Sequence, residues 1–351
     1  SVMANNLRWG VVGSGGIALR RTIPEGIAPA SNAELVTVYD INEAANRAVA
    51  ERFGARAASS VEEVLGAAID AVYIATPVNC HREQTLRCAE AGKHVLCEKP
   101  LGLTVAEAEE MIEACRRAGV QLGTGLMMRF HSQHQAALRL IQEGRLGKPT
   151  YGRAQLSCWY PPIAGAWRQN PAQGGGGSLM DMGGHSIDLL EMFFGPIVQL
   201  ACFTNNTVHA YPSEDSATAL LRFANGALGT VDAFFCIPDA SSKNVLELYG
   251  SLGGILAKNT IGQGERGEMV AFLEEGAAGY EAQQQDRTLE GGLIIAPEPV
   301  NMYRAEIEGF SAAVLEGRPV PVDGAIGLHS QKVLAACYES ARAGKIVEIA
   351  Q

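Results

Sequence analysis

The first third of the chain alternates short apolar runs with amphipathic stretches. The apolar runs predict buried strands, and they lie at 7–12, 34–39, 71–75, 95–97 and 120–125. Between them apolar residues recur at helical spacing, which predicts helices over 44–53, 61–67, 81–91 and 105–118. Repeated strand–helix–strand units predict an α/β domain over residues 1–125, a Rossmann-type doubly wound parallel sheet.

The pattern changes after residue 125. A helical stretch over 127–143 precedes alternating segments that predict strands at 150–157, 199–207, 217–223, 227–236, 244–249 and 254–257. Asn225-Gly226 is a hairpin signal between two of them. Residues 265–290 are polar and poorly periodic, which predicts an exposed edge and a mobile loop; helices over 302–316 and 327–343 follow. We therefore predict a second, α+β domain over 126–351: a mostly antiparallel open sheet with helices on one face, and a last helix able to pack toward the first domain.

Charge and composition exclude several classes of function. The net charge is −10 and no run of Lys and Arg occurs, which argues against nucleic acid or an anionic membrane as a partner. No apolar stretch approaches the roughly 18 residues of a membrane span, and no signal-peptide pattern precedes the first strand. The eight cysteines are scattered without a C-x-x-C pair, so we expect reduced thiols, no structural zinc and a cytoplasmic protein.

A glycine-rich turn follows the first predicted strand. It reads Gly13-Ser14-Gly15-Gly16-Ile17-Ala18 and opens a helix. In such a G-x-G-x-x-A turn the first glycine permits a tight bend, and the second lets a pyrophosphate approach the backbone. The helix N-terminus then offers N–H groups to the phosphates. Gly13, Gly15, Gly16 and Ile17 are therefore candidate cofactor-binding residues.

Asp40 ends the second predicted strand. A carboxylate there would accept hydrogen bonds from the adenosine ribose hydroxyls and repel a 2′-phosphate, so the sequence favours NAD over NADP. The alternative is that Asp40 only caps the helix that begins near Asn42.

Two further predicted strands end in polar residues, Thr76-Pro77-Val78-Asn79 and Glu98-Lys99-Pro100. Because parallel strands end at one edge of the sheet, a single ligand could contact Thr76, Pro77, Asn79, Glu98 and Lys99. His81 begins the next helix, where it would lie under the cofactor. The alternative for Glu98 and Lys99 is a surface ion pair. We predict a cis Lys99–Pro100 bond.

A second candidate site lies after the glycine run 174–177. Read as a helix, Asp181 and His185 stand four residues apart and share a face. A carboxylate that orients an imidazole suits acid–base chemistry near neutral pH, although such pairs are also common as structural features. Asp188 is predicted to be an exposed position of the same helix.

Together these motifs resemble the glucose–fructose oxidoreductase / inositol dehydrogenase (Gfo/Idh/MocA) family over essentially the whole chain. The resemblance rests on the glycine turn, on 75–79, on Lys93 to Pro100, on Asp181 through His185, and on 301–303, 316–321 and 341–345. It implies that Lys99, Asp181 and His185 are catalytic and contact the substrate, and that Trp167 and Arg168 lie near the cofactor.

Several other residues carry weaker implications. Arg129 and His131 resemble a family segment that can line the substrate pocket; the alternative is a simple packing or salt-bridge role. Tyr160 either contacts substrate or fills the rim of the pocket. His131 and His134 lack a third metal ligand, so we expect no metal. The run 159–162 resembles the 1,5-anhydro-D-fructose reductase branch, but those reductases lack an acidic residue at the position of Asp40 and use NADP.

The function implied is NAD(P)-dependent hydride transfer between nicotinamide and a secondary alcohol or ketone of a sugar, polyol or inositol. Two alternatives remain: a catalytically silent NAD-binding regulator, and a glycosidase of the same fold that uses NAD transiently. We also expect a homodimer or homotetramer built through the open sheet face, where Leu228, Val231 and Phe235 would help to form an apolar patch.

Overall fold

The computed structural model describes residues 5–275, 279–280 and 291–351. Its backbone forms two compact units. The first comprises 1–127, 163–184 and 301–335, and the second 128–162, 185–300 and 336–351. The predicted boundary at 125/126 lies two residues before the first passage between units, and the chain passes between them again at later points.

The first unit contains a parallel sheet in the order β3-β2-β1-β4-β5-β6. This is the doubly wound sheet that the alternating pattern predicts. Its strands are β1 (Leu7–Val12), β2 (Ala33–Tyr39), β3 (Arg56–Ala57), β4 (Ala71–Ile74), β5 (His94–Cys97) and β6 (Leu122–Thr124). The residues of β4 are all fully buried, as expected for a strand covered on both faces.

Helices surround this sheet. They are Ala18–Ile27, which is π-helical, Glu43–Phe53, Val61–Gly66, Val78–Glu90, Val105–Ala118 and Met302–Glu316. The helix Gly324–Ala343 contributes its residues up to 335 to this unit. Short turns at Trp167–Gln169, Pro171–Gly174 and Leu179–Gly183 complete the unit.

The second unit contains a larger sheet in the order β14-β13-β12-β11-β7-β10-β9-β8-β15. Its strands are β7 (Pro149–Ser157), β8 (Ile197–Asn205), β9 (Ser216–Phe223), β10 (Leu228–Phe234), β11 (Leu246–Gly250), β12 (Gly253–Lys258), β13 (Glu268–Leu273), β14 (Leu293–Ile294) and β15 (Val347–Glu348). The pairing is antiparallel except between β10 and β7. The predicted hairpin at Asn225-Gly226 joins β9 to β10, and Gly226 has the positive φ that such a turn requires.

Strand β13 lies inside the segment predicted to be an exposed edge and a loop. Met269 and Ala271 point inward while Phe272 is partly exposed, so a short alternation was present within a polar window. Residues 276–278 and 281–290 of the predicted loop lie outside the described residues.

Helices cover one face of the large sheet. They are Ser132–Gln142, Gly184–Phe194 and the part of Gly324–Ala343 that follows 335, and short 3₁₀ turns lie at Met127–Phe130 and Asp239–Ser241. A Cβ at Gly152 on β7 would lie 2.9 Å from the Phe194 ring, which shows how closely helix and sheet pack.

One part of the predicted apolar patch is wrong. Val231 and Phe235 are fully buried, whereas Leu228 is 53% exposed. Because side chains alternate across a strand, Leu228 and the two odd-numbered residues point to opposite faces. The exposed face carries other large apolar side chains, namely Phe203, Leu220, Leu256, Phe272 and Ile294.

All eight cysteines are free thiols, and five of them are buried. Among the described residues, no helix has the length and apolar character that crossing a membrane requires.

Because of two buried histidines at the start of helix Ser132–Gln142, we expect the folded protein to lose stability at acidic pH. His131 Nδ1 accepts a hydrogen bond from the Gln133 N–H, and His134 Nδ1 lies 2.7 Å from the Met128 carbonyl oxygen. Burial lowers the pKa of His131 to about 4, and burial with the neighbouring His131 lowers the pKa of His134 to about 3. In the unfolded chain each histidine has a pKa of about 6.5, so below that pH the unfolded chain binds more protons than the folded protein. The contribution of the two neutral histidines to the free energy of unfolding is therefore complete above pH 6.5 and falls as the pH drops toward 4.

We expect these two histidines to lower the free energy of unfolding by about 3 kcal/mol between pH 7.5 and pH 5.5. His131→Asn keeps a side chain that can cap the helix but does not titrate, so it should remove about half of that pH dependence. Urea unfolding of both proteins at the two pH values measures this. An unchanged pH dependence in the variant would show that His131 does not stay neutral.

Candidate active site

The glycine turn after β1 has the geometry that dinucleotide binding needs. Gly13 has φ +93°, and a Cβ there would lie 2.7 Å from the carbonyl carbon and oxygen of Ala75, so only glycine fits. A Cβ at Gly16 would meet nothing within 4 Å, so the backbone is open on that side. Ile17 then leads into the π-helix Ala18–Ile27.

Asp40 is tied to this turn. Its Oδ2 accepts a hydrogen bond from the Gly15 N–H at 2.8 Å, and its Oδ1 accepts one from the Asn42 N–H at 2.9 Å. Asn42, not Asp40, supplies the side-chain cap of helix Glu43–Phe53. Helix capping alone therefore does not explain Asp40, because its carboxylate also holds the backbone of the glycine turn.

A buried histidine joins the next two strand-end loops. His81 Nε2 lies 2.8 Å from the Thr76 carbonyl oxygen, and its Nδ1 lies 2.9 Å from the Pro100 carbonyl oxygen. Burial lowers the pKa of His81, which favours the neutral ring. Thr76 and Pro77 are half-buried and Asn79 is exposed, while His81 itself is 1% exposed. Direct contact between His81 and a cofactor stays a prediction; the contacts seen are with the loops.

Lys99 lies at the end of β5, and its peptide bond to Pro100 is cis, as predicted. Its Nζ donates to the backbone carbonyl oxygen of Asp181 and to Asp181 Oδ1, the latter at 3.2 Å. Arg168 Nε donates to the same Oδ1 at 3.1 Å. The structure thus brings together Lys99, Arg168 and Asp181, with Lys99 82 residues and Arg168 13 residues before Asp181 in the sequence.

Electrostatics fix the charge of Asp181. Burial alone would raise its pKa, but the positive charges of Lys99 and Arg168 and their hydrogen bonds hold the pKa well below its usual range. The side chains of Lys99 and Asp181 are 14% and 23% exposed, so the pair is shielded but reachable. The site therefore presents an ammonium group held by a permanent carboxylate.

The segment around Asp181 is helical, as predicted, but its first turn is different. Leu179–Gly183 is a π-helical turn, and α-helix begins at Gly184. π-turns are uncommon and often occur at functional sites. The preceding glycines also have a packing role: a Cβ at Gly174 would lie 3.1 Å from the Trp167 carbonyl oxygen.

Trp167 and Arg168 form a stacked pair. The Arg168 guanidinium carbon lies 4.2 Å from the centroid of the Trp167 ring, which favours the position from which Nε reaches Asp181. The family resemblance implies that this pair lies near the cofactor. The structure adds the hydrogen bond between Arg168 and Asp181.

His185 lies in the first turn of helix Gly184–Phe194, belongs to the second unit, and is 9% exposed. Its predicted partnership with Asp181 stays a prediction.

Arg129 and Asp188 form a buried ion pair. Arg129 Nε and Nη2 donate to the two oxygens of Asp188 at 2.8 and 2.7 Å. Asp188 is 2% exposed, so the prediction of an exposed Asp188 is wrong. Its partner lies 59 residues earlier, and sequence spacing gives no sign of it. These two hydrogen bonds give Arg129 a structural role. Contact between Arg129 and substrate stays a prediction.

Tyr160 belongs to an aromatic cluster of the second unit. Its ring packs edge-on against Phe235 at 4.8 Å between centroids and lies 6.4 Å from Tyr211. Tyr160 is half-buried, and its neighbour Trp159 is 44% exposed. His131 is fully buried as a helix cap. Among the described residues, no group of side chains is suited to hold a metal ion.

These features fit a dinucleotide. The glycine turn leaves backbone room, the helix after it offers N–H groups, and Asp40 is anchored beside the turn. Lys99 lies at the same strand-end edge of the sheet as these residues. A parallel sheet with this turn, acidic residue and lysine defines a dinucleotide-binding oxidoreductase.

Comparison with known proteins identifies the family. Residues 7–126 match the model described as the GFO/IDH/MocA oxidoreductase family with an NAD-binding Rossmann fold, and residues 134–256 match the GFO/IDH/MocA C-terminal domain. The chain belongs to this family, as the sequence motifs indicated.

Individual relatives cover nearly the whole chain. A 1,5-anhydro-D-fructose reductase of Ensifer adhaerens is 31% identical over 97% of this chain and 98% of its own length. A myo-inositol 2-dehydrogenase of Thermotoga maritima is 30% identical over 92% of each chain. The solved structure of an aldose-aldose oxidoreductase from Caulobacter crescentus, complexed with glycerol, superposes with a TM-score of 0.86 at 27% identity, covering 98% of this chain and all of that one.

Proposed function

We propose that this protein is an NAD-preferring dehydrogenase or reductase acting on a secondary alcohol or ketone of a sugar or polyol. The observation that carries the proposal is the Lys99–Asp181–Arg168 cluster at the strand-end edge that also bears the glycine turn. The substrate class is supported by the related reductase and dehydrogenase, whose names specify an anhydro-sugar and an inositol.

Each residue has a distinct part in the proposed reaction. Nicotinamide, when bound, supplies the hydride acceptor or donor. Lys99, held by Asp181, donates a hydrogen bond to the substrate oxygen and stabilises negative charge that develops there. His185 takes up the hydroxyl proton on oxidation and returns it on reduction. Arg168 keeps Asp181 ionised, so that Lys99 stays fixed.

A panel of polyols, aldoses and ketosugars with NAD and NADP, followed by absorbance of the reduced nicotinamide, tests this function. We expect turnover with at least one member. A glycosidase that uses NAD transiently would release a sugar substituent without net NADH, and a silent regulator would bind NADH without any turnover.

The cofactor prediction rests on the anchored carboxylate of Asp40. We expect kcat/KM to favour NAD over NADP by at least about tenfold, because a 2′-phosphate would lie against a negative charge. Asp40→Asn keeps an oxygen that can accept from Gly15 but removes the charge, so the preference should fall. Adding Ile41→Arg, at a position 93% exposed, to Asp40→Ser should lower it further. Equal kcat/KM for both cofactors in the wild type would contradict this assignment.

We propose that the protein assembles as a dimer or tetramer through the exposed face of the large sheet. Phe203 and Leu220 are 84% and 62% exposed there, on neighbouring strands. Burying such side chains against a second copy removes apolar surface from water.

Light scattering at micromolar concentration tests the assembly. The double variant Phe203→Glu/Leu220→Glu should be a monomer, while Leu315→Glu, at an exposed apolar position of helix Met302–Glu316, should assemble like the wild type. A monomeric wild type would refute the proposal.

A further inference from the structure

The carboxylate of Glu98, which directly precedes Lys99, accepts a hydrogen bond at each of its oxygens. The Tyr73 hydroxyl donates to Oε1 at 2.5 Å, and the Lys99 backbone N–H donates to Oε2 at 3.3 Å. Because an ionised carboxylate only accepts hydrogen bonds, both contacts fit the charged form of Glu98. Gly125 keeps the space open, since a Cβ there would lie 2.7 Å from Glu98 Oε2. Glu98 therefore joins Tyr73 to the backbone of the proposed catalytic lysine.

Tyr73 reaches Glu98 because of the register between β4 and β5. Tyr73 pairs with Leu96 across these parallel strands, and Glu98 follows Leu96 by two residues. Side chains two residues apart on a strand point to the same face, so the Tyr73 ring extends along that face toward the strand end. The Glu98 N–H donates to the Ile74 carbonyl oxygen at 2.9 Å, which continues the pairing of the two strands by one residue. The sheet itself thus places the hydroxyl beside the carboxylate.

Thr22 fixes the direction in which the Tyr73 hydroxyl donates. The Thr22 hydroxyl, on helix Ala18–Ile27, donates to the Tyr73 oxygen at 2.9 Å, so the Tyr73 O–H is left for Glu98. Thr22 and Tyr73 are both fully buried, and water therefore does not compete for the hydrogen bond between them. Burial raises the pKa of Glu98, and the hydrogen bond from Tyr73 opposes that rise. Loss of the Tyr73 hydroxyl would therefore weaken the charged form of Glu98.

Lys99 is held at both ends as a result. Its backbone N–H is bound by Glu98, and its Nζ is bound by the carbonyl and carboxylate oxygens of Asp181. The contact at Nζ alone leaves the backbone from which the side chain extends free to shift. A small displacement of a group that must contact a reacting atom can slow turnover strongly.

We propose that Tyr73 is a positioning residue, whose hydroxyl holds the Glu98 carboxylate in place and through it the backbone of Lys99. The chain of hydrogen bonds begins at Thr22 and ends at Lys99, and all of it lies within the first unit. The kinetic consequence rests on the proposed function, whereas the chain of hydrogen bonds does not.

Tyr73→Phe removes only the hydroxyl and should lower kcat by about tenfold, because Lys99 loses part of its fixed position. The KM for the cofactor should stay close to that of the wild type. Tyr303→Phe is the matched control, because Tyr303 is a buried tyrosine of the same unit whose hydroxyl has no hydrogen-bond partner among the described residues. It should keep the wild-type kcat. An unchanged kcat in Tyr73→Phe, with or without a raised cofactor KM, or an equal loss in Tyr303→Phe would overturn the proposal.

A double-mutant cycle between Tyr73 and Glu98 tests whether the two residues act together. Glu98→Gln keeps the shape of the side chain but replaces one accepting oxygen with an N–H₂ donor. The losses in kcat for Tyr73→Phe and Glu98→Gln should fall short of additive in the double variant, because both changes break the same chain of hydrogen bonds. Additive losses would mean that the Tyr73 hydroxyl does not act through Glu98, and the proposal would be wrong.

Hydrogen exchange tests the chain of hydrogen bonds without any substrate. In protein labelled with ¹⁵N-lysine, the Lys99 amide is assigned by its absence from Lys99→Ala. This amide should exchange slowly in the wild type and at least about tenfold faster in Tyr73→Phe. The Lys93 amide, which donates to the Cys88 carbonyl oxygen, should exchange at the same rate in both proteins.

Two outcomes of this exchange experiment separate the proposal from the proposed function. If Tyr73→Phe does not fold, a fast-exchanging Lys99 amide in the wild type still overturns the positioning role. A slowly exchanging Lys99 amide that becomes fast in Tyr73→Phe, in a protein that turns over no sugar or polyol, would support the chain of hydrogen bonds and contradict the proposed function instead.

Discussion

Lys99→Ala should lower kcat by about 10²–10³-fold on whatever sugar or polyol the wild type accepts. The Nζ of Lys99 is held by the carbonyl and the carboxylate of Asp181, and this fixed position is what allows it to stabilise charge on a substrate oxygen. NADH binding, seen by fluorescence, should remain nearly intact. Lys99→Arg should not restore activity, because its planar fork cannot occupy the same place.

Lys93→Ala is the matched control for this variant. Lys93 precedes β5 at the opposite end of the strand and donates to the Ile69 carbonyl oxygen, away from the site. It should keep wild-type turnover. Full activity of Lys99→Ala would exclude Lys99 from the chemistry.

His185→Ala should lower kcat by about 10²–10⁴-fold and change the pH profile, since it removes the proposed acid–base group. Asp181→Asn should have a smaller effect than His185→Ala. The double variant should show less than additive losses if the two residues act as one unit. His94→Ala, at a half-buried histidine that accepts from the Gln121 N–H, is the control and should leave the profile unchanged. Wild-type kcat across the pH range in His185→Ala would make His185 structural.

The contacts of Asp181 add a second coupling. Because Asp181 also holds Lys99, the losses in Asp181→Asn/Lys99→Ala should fall short of the sum of the single losses. A double-mutant cycle on kcat measures this. Additive losses would mean that the hydrogen bond between Lys99 and Asp181 does not contribute to turnover.

Local pattern was sufficient to predict the parallel sheet and the edge at which its polar strand ends meet. Continuous apolar runs, such as the one ending at Cys97, alternate with helices, and the polar residues after them fall at one edge because all the strands run the same way. The glycine turn is equally local, since Gly13 needs a positive φ that its own sequence context indicates.

Contacts between distant segments could not be predicted. Asp188 follows Ile187 among buried residues, but whether a carboxylate can be buried there depends on Arg129, which lies far away in the sequence. The same holds for Arg168, whose contact with Asp181 spans 13 residues that include the closely packed Gly174. Glu306 looks like an ordinary polar position of helix Met302–Glu316 in the sequence, yet it is 3% exposed in the structure, where this helix packs on helix Ala18–Ile27. In each case tertiary packing, not periodicity, determines the environment of the charge.

The activity proposed for this member of the family is hydride transfer to and from a sugar or polyol, with Lys99 as an essential group. Its most direct test is the substrate panel run in parallel with wild-type protein and Lys99→Ala, both shown to bind NADH, following the absorbance of reduced nicotinamide. We expect the wild type to turn over at least one sugar or polyol, and Lys99→Ala to turn over the same compound at least about 10²-fold more slowly. Equal turnover by the two proteins, or NADH binding without turnover of any compound by the wild type, would contradict it.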